Sequence, residues 1–507
     1  MSTVDTQVNL GEGEGPVGGL RKGSLRTIDA VAMAIAVLSP AMAMAYNTSG
    51  SAAFSGTSTP LAFLIGGIGC LALAFVVIGF TRRMASAGYA YTYSSRTLGK
   101  RAGFLTGWMY FFGFFCFVPM TMSGVGGFTA TLIQTEVWHG MPSWFWFPIF
   151  LVGMACLVTL SYRGIRISMR TLLWIGLVTV TVVLILDIIL TVKGGKFGQS
   201  LQPFTFGHTL QGGFSGIFYG LIFGVTSFIG FETAAVLGEE TKNPRRAIPI
   251  SVLVAVCFAI VFYVWTTYNI AIGVGVNAAG SKAWASNPAI LATLAKTYVG
   301  TPMMIIVDLA AIGSAFIVCL ACATAATRTL FAMGREGVMP SWLGRTHPVH
   351  RTPTNAIMVI AGTATVSAFV SGILWNLGPY ANYFFYASVG TIAVCLVYVV
   401  LCVGGSVYFR RIAQRYNPLI HGLIPVIGIA VFGLAVYGSV YGGAIPPAPY
   451  TFVPYVNLGW LVLGIAFVIY LSRNAPEKIG QIGSILGEEG GEVAGILDQP
   501  SPSPATS

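Results

Sequence analysis

Residues 213–237 read GFSGIFYGLIFGVTSFIGFETAAVL, 25 residues with a single charged side chain, Glu232. Roughly 20 apolar residues, rising about 1.5 Å each, cross a hydrocarbon core of about 30 Å. The stretch therefore predicts a membrane-spanning helix. Its middle is not that of a plain span. Gly224-Val225-Thr226-Ser227-Phe228-Ile229-Gly230-Phe231-Glu232 carries glycines, two hydroxyls and a carboxylate. Lipid offers no partner to a free backbone group, so an interrupted span lines a cavity or packs on protein.

Eleven further apolar runs surround it, over 28–46, 60–80, 104–133, 144–161, 171–192, 249–272, 302–327, 354–374, 380–404, 419–441 and 453–471. Together they predict an all-α polytopic membrane protein with 12 transmembrane helices. The composition agrees: 55% of the 507 residues are hydrophobic and 8% charged, against about 25% charged in a soluble domain. That excludes a soluble enzyme, a nucleic-acid-binding protein and a disordered chain. Runs of this length also argue against a β-barrel, whose strands alternate over about 10 residues. Glycine contributes 63 residues, well above the usual share of about 7%, as close-packed membrane helices require.

The basic residues set the orientation. With these spans, 23 of the 27 Lys and Arg fall on one side, and Lys193, Lys196, Lys282 and Lys296 on the other. Cytoplasmic loops carry the excess, so both termini are expected in the cytoplasm of a plasma-membrane protein. The net charge of +11 is then topological, and no nucleic-acid partner is expected. The domain reading is a polar N-terminal tail at 1–27 with no removable signal, and a ten-helix core at 28–404 (halves at 28–192 and 213–404). Peripheral helices follow at 405–472 and a largely disordered tail at 473–507. The segment 273–301 is expected to hold short surface helices.

No enzyme signature is present: no HExxH, GxSxG, GxxxxGK or GxGxxG. The eight cysteines all lie in apolar runs and read as packing residues. The five histidines sit in loops or at span ends. No catalytic residue, metal or cofactor is expected.

A second interruption lies in span one, where Pro40 follows Ser39 in Ala36-Val37-Leu38-Ser39-Pro40-Ala41-Met42. Proline removes a donor near mid-membrane. Spans one and six are five apart, and paired interrupted spans in corresponding halves point to a transporter site.

Three blocks carry a family resemblance. Phe228-Ile229-Gly230-Phe231-Glu232 runs on through Glu239-Glu240-Thr241-Lys242-Asn243-Pro244-Arg245-Arg246-Ala247-Ile248-Pro249. Arg83-Met84-Ala85-Ser86-Ala87-Gly88-Tyr89-Ala90-Tyr91 follows span two. Ala332-Met333-Gly334-Arg335-Glu336-Gly337-Val338-Met339-Pro340, then Arg351-Thr352-Pro353, follows span eight. The chain resembles the amino acid–polyamine–organocation (APC) permeases over about 25–475. The resemblance implies a LeuT-like fold, a 5+5 inverted repeat plus two peripheral helices. It implies a secondary transporter, a permease or symporter, working by alternating access. The sequence also departs from the family. Pro40-Ala41-Met42 stands where most members carry Gly-Ser/Ala-Gly, Thr226 stands in the place of an aromatic gate, and Thr179 in the place of a helix-five lysine.

With that resemblance the breaks define a substrate site: Leu38, Ser39, Pro40, Ala41, Met42, Ala43, Thr226, Ser227, Phe228, Ile229 and Gly230. Amides of Ala41, Met42 and Ala43 at a helix start suit a carboxylate. Carbonyls near Leu38–Ser39 and Thr226–Ile229 suit an ammonium, and Phe228 is placed to close over the substrate. Coupling candidates are Glu232, Asp187, Asp308, Thr179 and Ser314. Asp29 reads as a helix cap. Glu232 costs about 2.5–3.5 kcal/mol to hold ionised in the membrane, and is either a proton-linked switch or a structural hydrogen-bonded carboxyl. Asp187 and Asp308 either line an outer vestibule or take part in coupling; Thr179 and Ser314 are hydroxyls suited to sodium. Few charges near the breaks favour a neutral amino acid, and proton-driven uptake is the expected mode. A polyamine or amine permease, a substrate/product exchanger, and a transporter-like sensor or channel are the alternatives.

Overall fold

A helix cannot pass undisturbed through Ser39-Pro40. Proline crowds the preceding residue out of the α region, and in the computed structural model Ser39 adopts φ 48°, ψ 63°. The structure describes residues 27–83, 89–164, 169–236, 241, 243–335, 337–350, 352–412, 414, 416–441 and 448–477. Helix α1 (Thr27–Leu38) ends at that residue. Proline is well placed in the first turn of a new helix, and Pro40 begins α2 (Pro40–Met42). The helix widens to a π turn over Ala43–Asn47 and finishes as α3 (Thr48–Ser55). The break therefore sits at Ser39, with Pro40 opening the next segment, and the first passage extends well beyond the expected limit at residue 46.

The chain continues through α4 (Thr59–Thr81), α5 (Tyr89–Leu98), α6 (Lys100–Glu136), α7 (Trp146–Tyr162) and α8 (Met169–Lys193). Then come α9 (Gly213–Phe228), α10 (Thr233–Val236), α11 (Pro244–Val274), α12 (Ala278–Ser286), α13 (Ile290–Tyr298) and α14 (Thr301–Arg335). The last elements are α15 (Thr354–Leu374), α16 (Pro379–Val407), α17 (Ile424–Tyr441) and α18 (Val453–Asn474). No strand occurs among the described residues. Ten helices there are long and apolar enough to cross a membrane. The first and sixth expected spans fall short of that length because their breaks divide them: α1 has 12 residues and α9 has 16.

Helix α6 packs against both α16 and α14, and α4 packs on α11. The pairings recur with an offset of five passages. Helix α1 lies against α11 as α9 lies against α4; α1 meets α8 as α9 meets α16; α6 meets α16 as α14 meets α8. At the α6–α16 contact, a Cβ on Gly113 would stand 3.1 Å from the Gly390 carbonyl oxygen, and one on Gly390 3.0 Å from that of Gly113. Only glycines admit that approach, the membrane substitute for hydrophobic packing.

The segment between α11 and α14 does carry two short helices, α12 and α13. They cap the far part of the first passage, beyond the break. Ser49 Oγ donates to the Asn287 carbonyl at 2.7 Å, and the Thr57 amide donates to Ser281 Oγ at 3.0 Å. At the far edge α18 is pinned to α6, as Trp108 and Trp460 stack at 4.4 Å.

Several sequence readings lie outside the described residues: the tail at 1–26, the terminus from 478, the Asp29 side chain, residues 84–88, Glu239, Glu240, Lys242, Glu336 and Arg351.

Candidate functional site

Helix α9 stops at Phe228, and Gly230 adopts φ +119°, a conformation open to glycine at little cost. Gly230 abuts the end of α1: a Cβ there would lie 3.2 Å from Val37 Cγ1 and 3.4 Å from the Val37 carbonyl oxygen. The two interruptions thus face each other.

Both leave backbone groups without helical partners. By helix geometry the amides of Ala41 and Met42, in the first turn after Ser39, have no intrahelical acceptor. The Ala43 amide is engaged, donating to the Ser39 carbonyl at 3.0 Å. Beyond α9, the Ile229 amide donates to the Val225 and Thr226 carbonyls, the Phe231 amide to Phe228 and the Thr233 amide to Gly230. Among the described residues nothing donates to the carbonyls of Ser227 or Ile229. The Leu38 carbonyl accepts from the Tyr263 hydroxyl at 3.3 Å. Two amides and two carbonyls therefore stand at the breaks without helical partners. Such groups remain in a native protein only where a partner or water reaches them.

The side chains around the breaks are tied across elements. Ser39 Oγ hydrogen-bonds Ser314 Oγ of α14. Thr226 Oγ1 and Thr391 Oγ1 of α16 meet at 2.6 Å. Asn47 Nδ2 donates to Ser227 Oγ at 2.9 Å, and Asn47 Oδ1 accepts from the Tyr383 hydroxyl at 2.6 Å. The Phe228 ring meets that of Tyr263 edge-on at 5.0 Å. Pro40, Ala41 and Met42 are all buried.

Glu232 is fully buried just past the second break. Its Oε2 accepts from the Gly230 amide at 2.9 Å and its Oε1 from the Tyr398 hydroxyl at 2.6 Å. One carboxylate so holds the turn and ties it to α16.

The other coupling candidates spread apart. Asp187 of α8 is fully buried and faces α11, where Thr266 Oγ1 donates at 2.6 Å and Asn269 Nδ2 at 3.2 Å. Asp308 lies near the N-terminal end of α14, and no side chain among the described residues hydrogen-bonds it. Thr179 is buried and donates to the Gly176 carbonyl of its own helix at 3.0 Å. Of these candidates, Ser314 and Glu232 reach the breaks. No group of three or more His, Cys, Asp or Glu side chains stands together as a metal site among the described residues.

Asn47, Tyr263, Tyr383, Thr391 and Tyr398 belong to the same network, and sequence reasoning did not single them out. The available signal was a hydroxyl or amide inside a strongly apolar helix, which many structural residues share.

The geometry fits a polytopic carrier, and sequence comparison says of which kind. A family model described as amino acid permease matches residues 25–469. The chain belongs to this amino acid permease family. A branched-chain amino acid permease of Bacillus subtilis, BcaP, is 24% identical over 84% of this chain and 85% of its own. A methylthioribose transporter of the same organism is 24% identical over 68% and 72%. The low-affinity putrescine importer PlaP of Escherichia coli is 25% identical over 59% and 64%. By their names these relatives are a permease, a transporter and an importer of small molecules.

Proposed function

We propose that this permease is a secondary active transporter of the plasma membrane that takes up a neutral amino acid with protons by alternating access. The observation that carries the reading is the facing pair of breaks at Ser39 and Gly230. The free amides of Ala41 and Met42 suit a carboxylate, and the Ser227 and Ile229 carbonyls suit an ammonium, about one zwitterion's worth of partners. The side chains tying the breaks together are neutral apart from Glu232, which argues against a strongly dibasic substrate at this point.

The proposed architecture is twelve crossings in a 5+5 inverted repeat, with α17 and α18 peripheral and both termini cytoplasmic. Its support is the offset of five in the helix pairings and the matching position of the two breaks. Glu232, fixed to both the second break and α16, is the proposed proton-linked group. Losing either contact frees the turn after α9 from the core. The amine-permease alternative draws on the putrescine-importing relative and on the Asp308 carboxylate, which no side chain among the described residues hydrogen-bonds.

The test is uptake by purified protein in liposomes, with labelled neutral amino acids and putrescine, under an inward proton gradient, a sodium gradient or neither. Accumulation of a neutral amino acid driven by protons is expected. Flux only against internal substrate means an exchanger, and binding without flux means a sensor; either removes the symport reading.

A further inference from the structure

Three helix ends meet on one ring. Phe409, in the π turn Tyr408–Ile412 that follows α16, is buried. It stacks on the His421 imidazole with centroids 3.9 Å apart and planes at 7°. His421 belongs to Pro418–Leu423, the turn that leads into α17. The Arg83 guanidinium, just past the end of α4, stands 5.8 Å from the Phe409 centroid, within range of a cation–π contact. Gly79 of α4 leaves the room: a Cβ there would stand 2.9 Å from Phe409 Cε2. The ring therefore brings the ends of α4 and α16 and the start of α17 to one level.

This corner collects positive charge. Arg83, Arg410 and Arg411 are exposed, and no carboxylate among the described residues pairs with any of them. The one ion pair among those residues joins Lys296 to Glu136, on α13 and α6. His421 adds a donor. Its Nδ1 accepts from the Asn417 amide at 3.0 Å, so the neutral ring carries its proton on Nε2, which has no partner among the described residues. The surface beside the charge is apolar. Ile412, Leu419, Leu423 and Val426 are each more than half exposed, and the last three follow one side of the helix. The segment Pro418–Val440 is long and apolar enough to cross a membrane, so that side meets lipid.

We propose that Arg83, Arg410, Arg411 and His421, grouped around Phe409, bind the phosphate of an anionic phospholipid in the leaflet at this end of the bundle. Guanidinium forks match phosphate oxygens, and basic pockets between membrane helices take anionic head groups. Three arginines without a counter-charge favour a head group of net negative charge over a zwitterionic one, whose own cation they repel. The occupant is a lipid and not a free phosphate, because the exposed Leu419, Leu423 and Val426 continue from the charged corner along the path of acyl chains. The bound lipid ties α4, α16 and α17 together. The transport reading supplies only the side of the membrane, the cytoplasmic one; binding does not depend on it.

The test is native mass spectrometry of the full chain in detergent, with palmitoyl-oleoyl phosphatidylglycerol and the matching phosphatidylcholine at equal concentration. Wild type is expected to retain the anionic lipid at least about fivefold better. Replacing both arginines, Arg410→Ala with Arg411→Ala, should remove most of that preference. Arg245→Ala with Arg246→Ala, which takes the same charge from the exposed start of α11, should leave it in place. Equal retention of the two lipids by wild type overturns the proposal. So does equal loss in the two double variants, which would mean diffuse attraction to basic charge. Excess inorganic phosphate separates the sources: the lipid should stay bound, and its displacement would make this a free-anion site and overturn the lipid assignment. A second readout needs no variant. A ligand of the folded state raises the melting temperature, so wild type should melt higher in phosphatidylglycerol nanodiscs than in phosphatidylcholine ones, and no difference overturns the site.

Discussion

The Tyr398 hydroxyl and the Glu232 carboxylate meet at 2.6 Å, joining α16 to the non-helical stretch that follows α9. The other Glu232 oxygen holds the Gly230 amide at 2.9 Å. Glutamine can keep both contacts, because its oxygen still accepts from Gly230 and its amide can donate to the Tyr398 oxygen. Glu232→Gln should therefore insert and fold while flattening the dependence of uptake on external pH. Proteoliposome uptake across a pH series checks this; an unchanged profile makes Glu232 purely structural.

Gly230 combines φ +119° with an approach to Val37 that leaves a Cβ only 3.2 Å from Cγ1. A side chain there meets backbone strain of about 1–3 kcal/mol as well as crowding. Gly230→Ala should lower uptake at least about tenfold, which corresponds to about 1.4 kcal/mol. Gly230→Leu should abolish it with membrane insertion intact. Near-normal uptake by either, at matched surface expression, would remove the second break from the site.

Asn47 links the first passage to Ser227 and Tyr383 at 2.9 and 2.6 Å. Asn47→Ala breaks both bonds and strands the buried Tyr383 hydroxyl, at about 1–3 kcal/mol, while Ser227 Oγ keeps its bond to the Phe223 carbonyl at 2.9 Å. The expected result is a lower melting temperature together with weaker substrate binding. A melting loss with binding intact would confine Asn47 to packing.

Trp108 and Trp460 exchange hydrogen bonds as well as stacking. Trp108 Nε1 donates to the Trp460 carbonyl at 3.0 Å, and Trp460 Nε1 donates to the Trp108 carbonyl at 3.3 Å. Trp460→Ala should cost about 2–4 kcal/mol from stacking and hydrogen bonds together. Uptake per folded molecule should persist, since α18 lies away from the breaks. Thermal unfolding and uptake, measured side by side, separate the two effects.

Lys282 in α12 and Arg410 beyond α16 are both exposed, and the excess of basic residues assigns them to opposite sides. A cysteine at 282 should react with an impermeant maleimide from outside intact cells, and one at 410 only after permeabilisation. The reverse pattern would invert the topology.

Apolar runs and glycine content made the helical membrane class legible, because lipid imposes length and burial on any sequence. The breaks were legible too, though at Ser39-Pro40 the eye falls on the proline while its steric effect lands one residue earlier. The partners were not legible. Asn47 and Tyr383 are 336 residues apart, and no local pattern brings them together. Asp187 was no clearer: a carboxylate in an apolar span reads as functional, yet Thr266 and Asn269 hold it against α11.

The two gaps differ in what could close them. Ser39 is held out of the helical region by the ring behind it, and Pro40 has no amide to complete a turn. Pro119 and Pro249 do lie inside continuous helices, but winding the first passage into one helix would have to move Ser39 from φ 48° and would still lack the Pro40 donor. Gly230 has no such obstacle; rewinding it into a helix costs only about 1 kcal/mol relative to alanine. The first jaw is therefore the costlier of the two to close, and the second the easier to rewind. In the proposed transport cycle, unequal jaws of this kind would put the conformational work on the second break and its Glu232 anchor, with the first break as the surface it closes against.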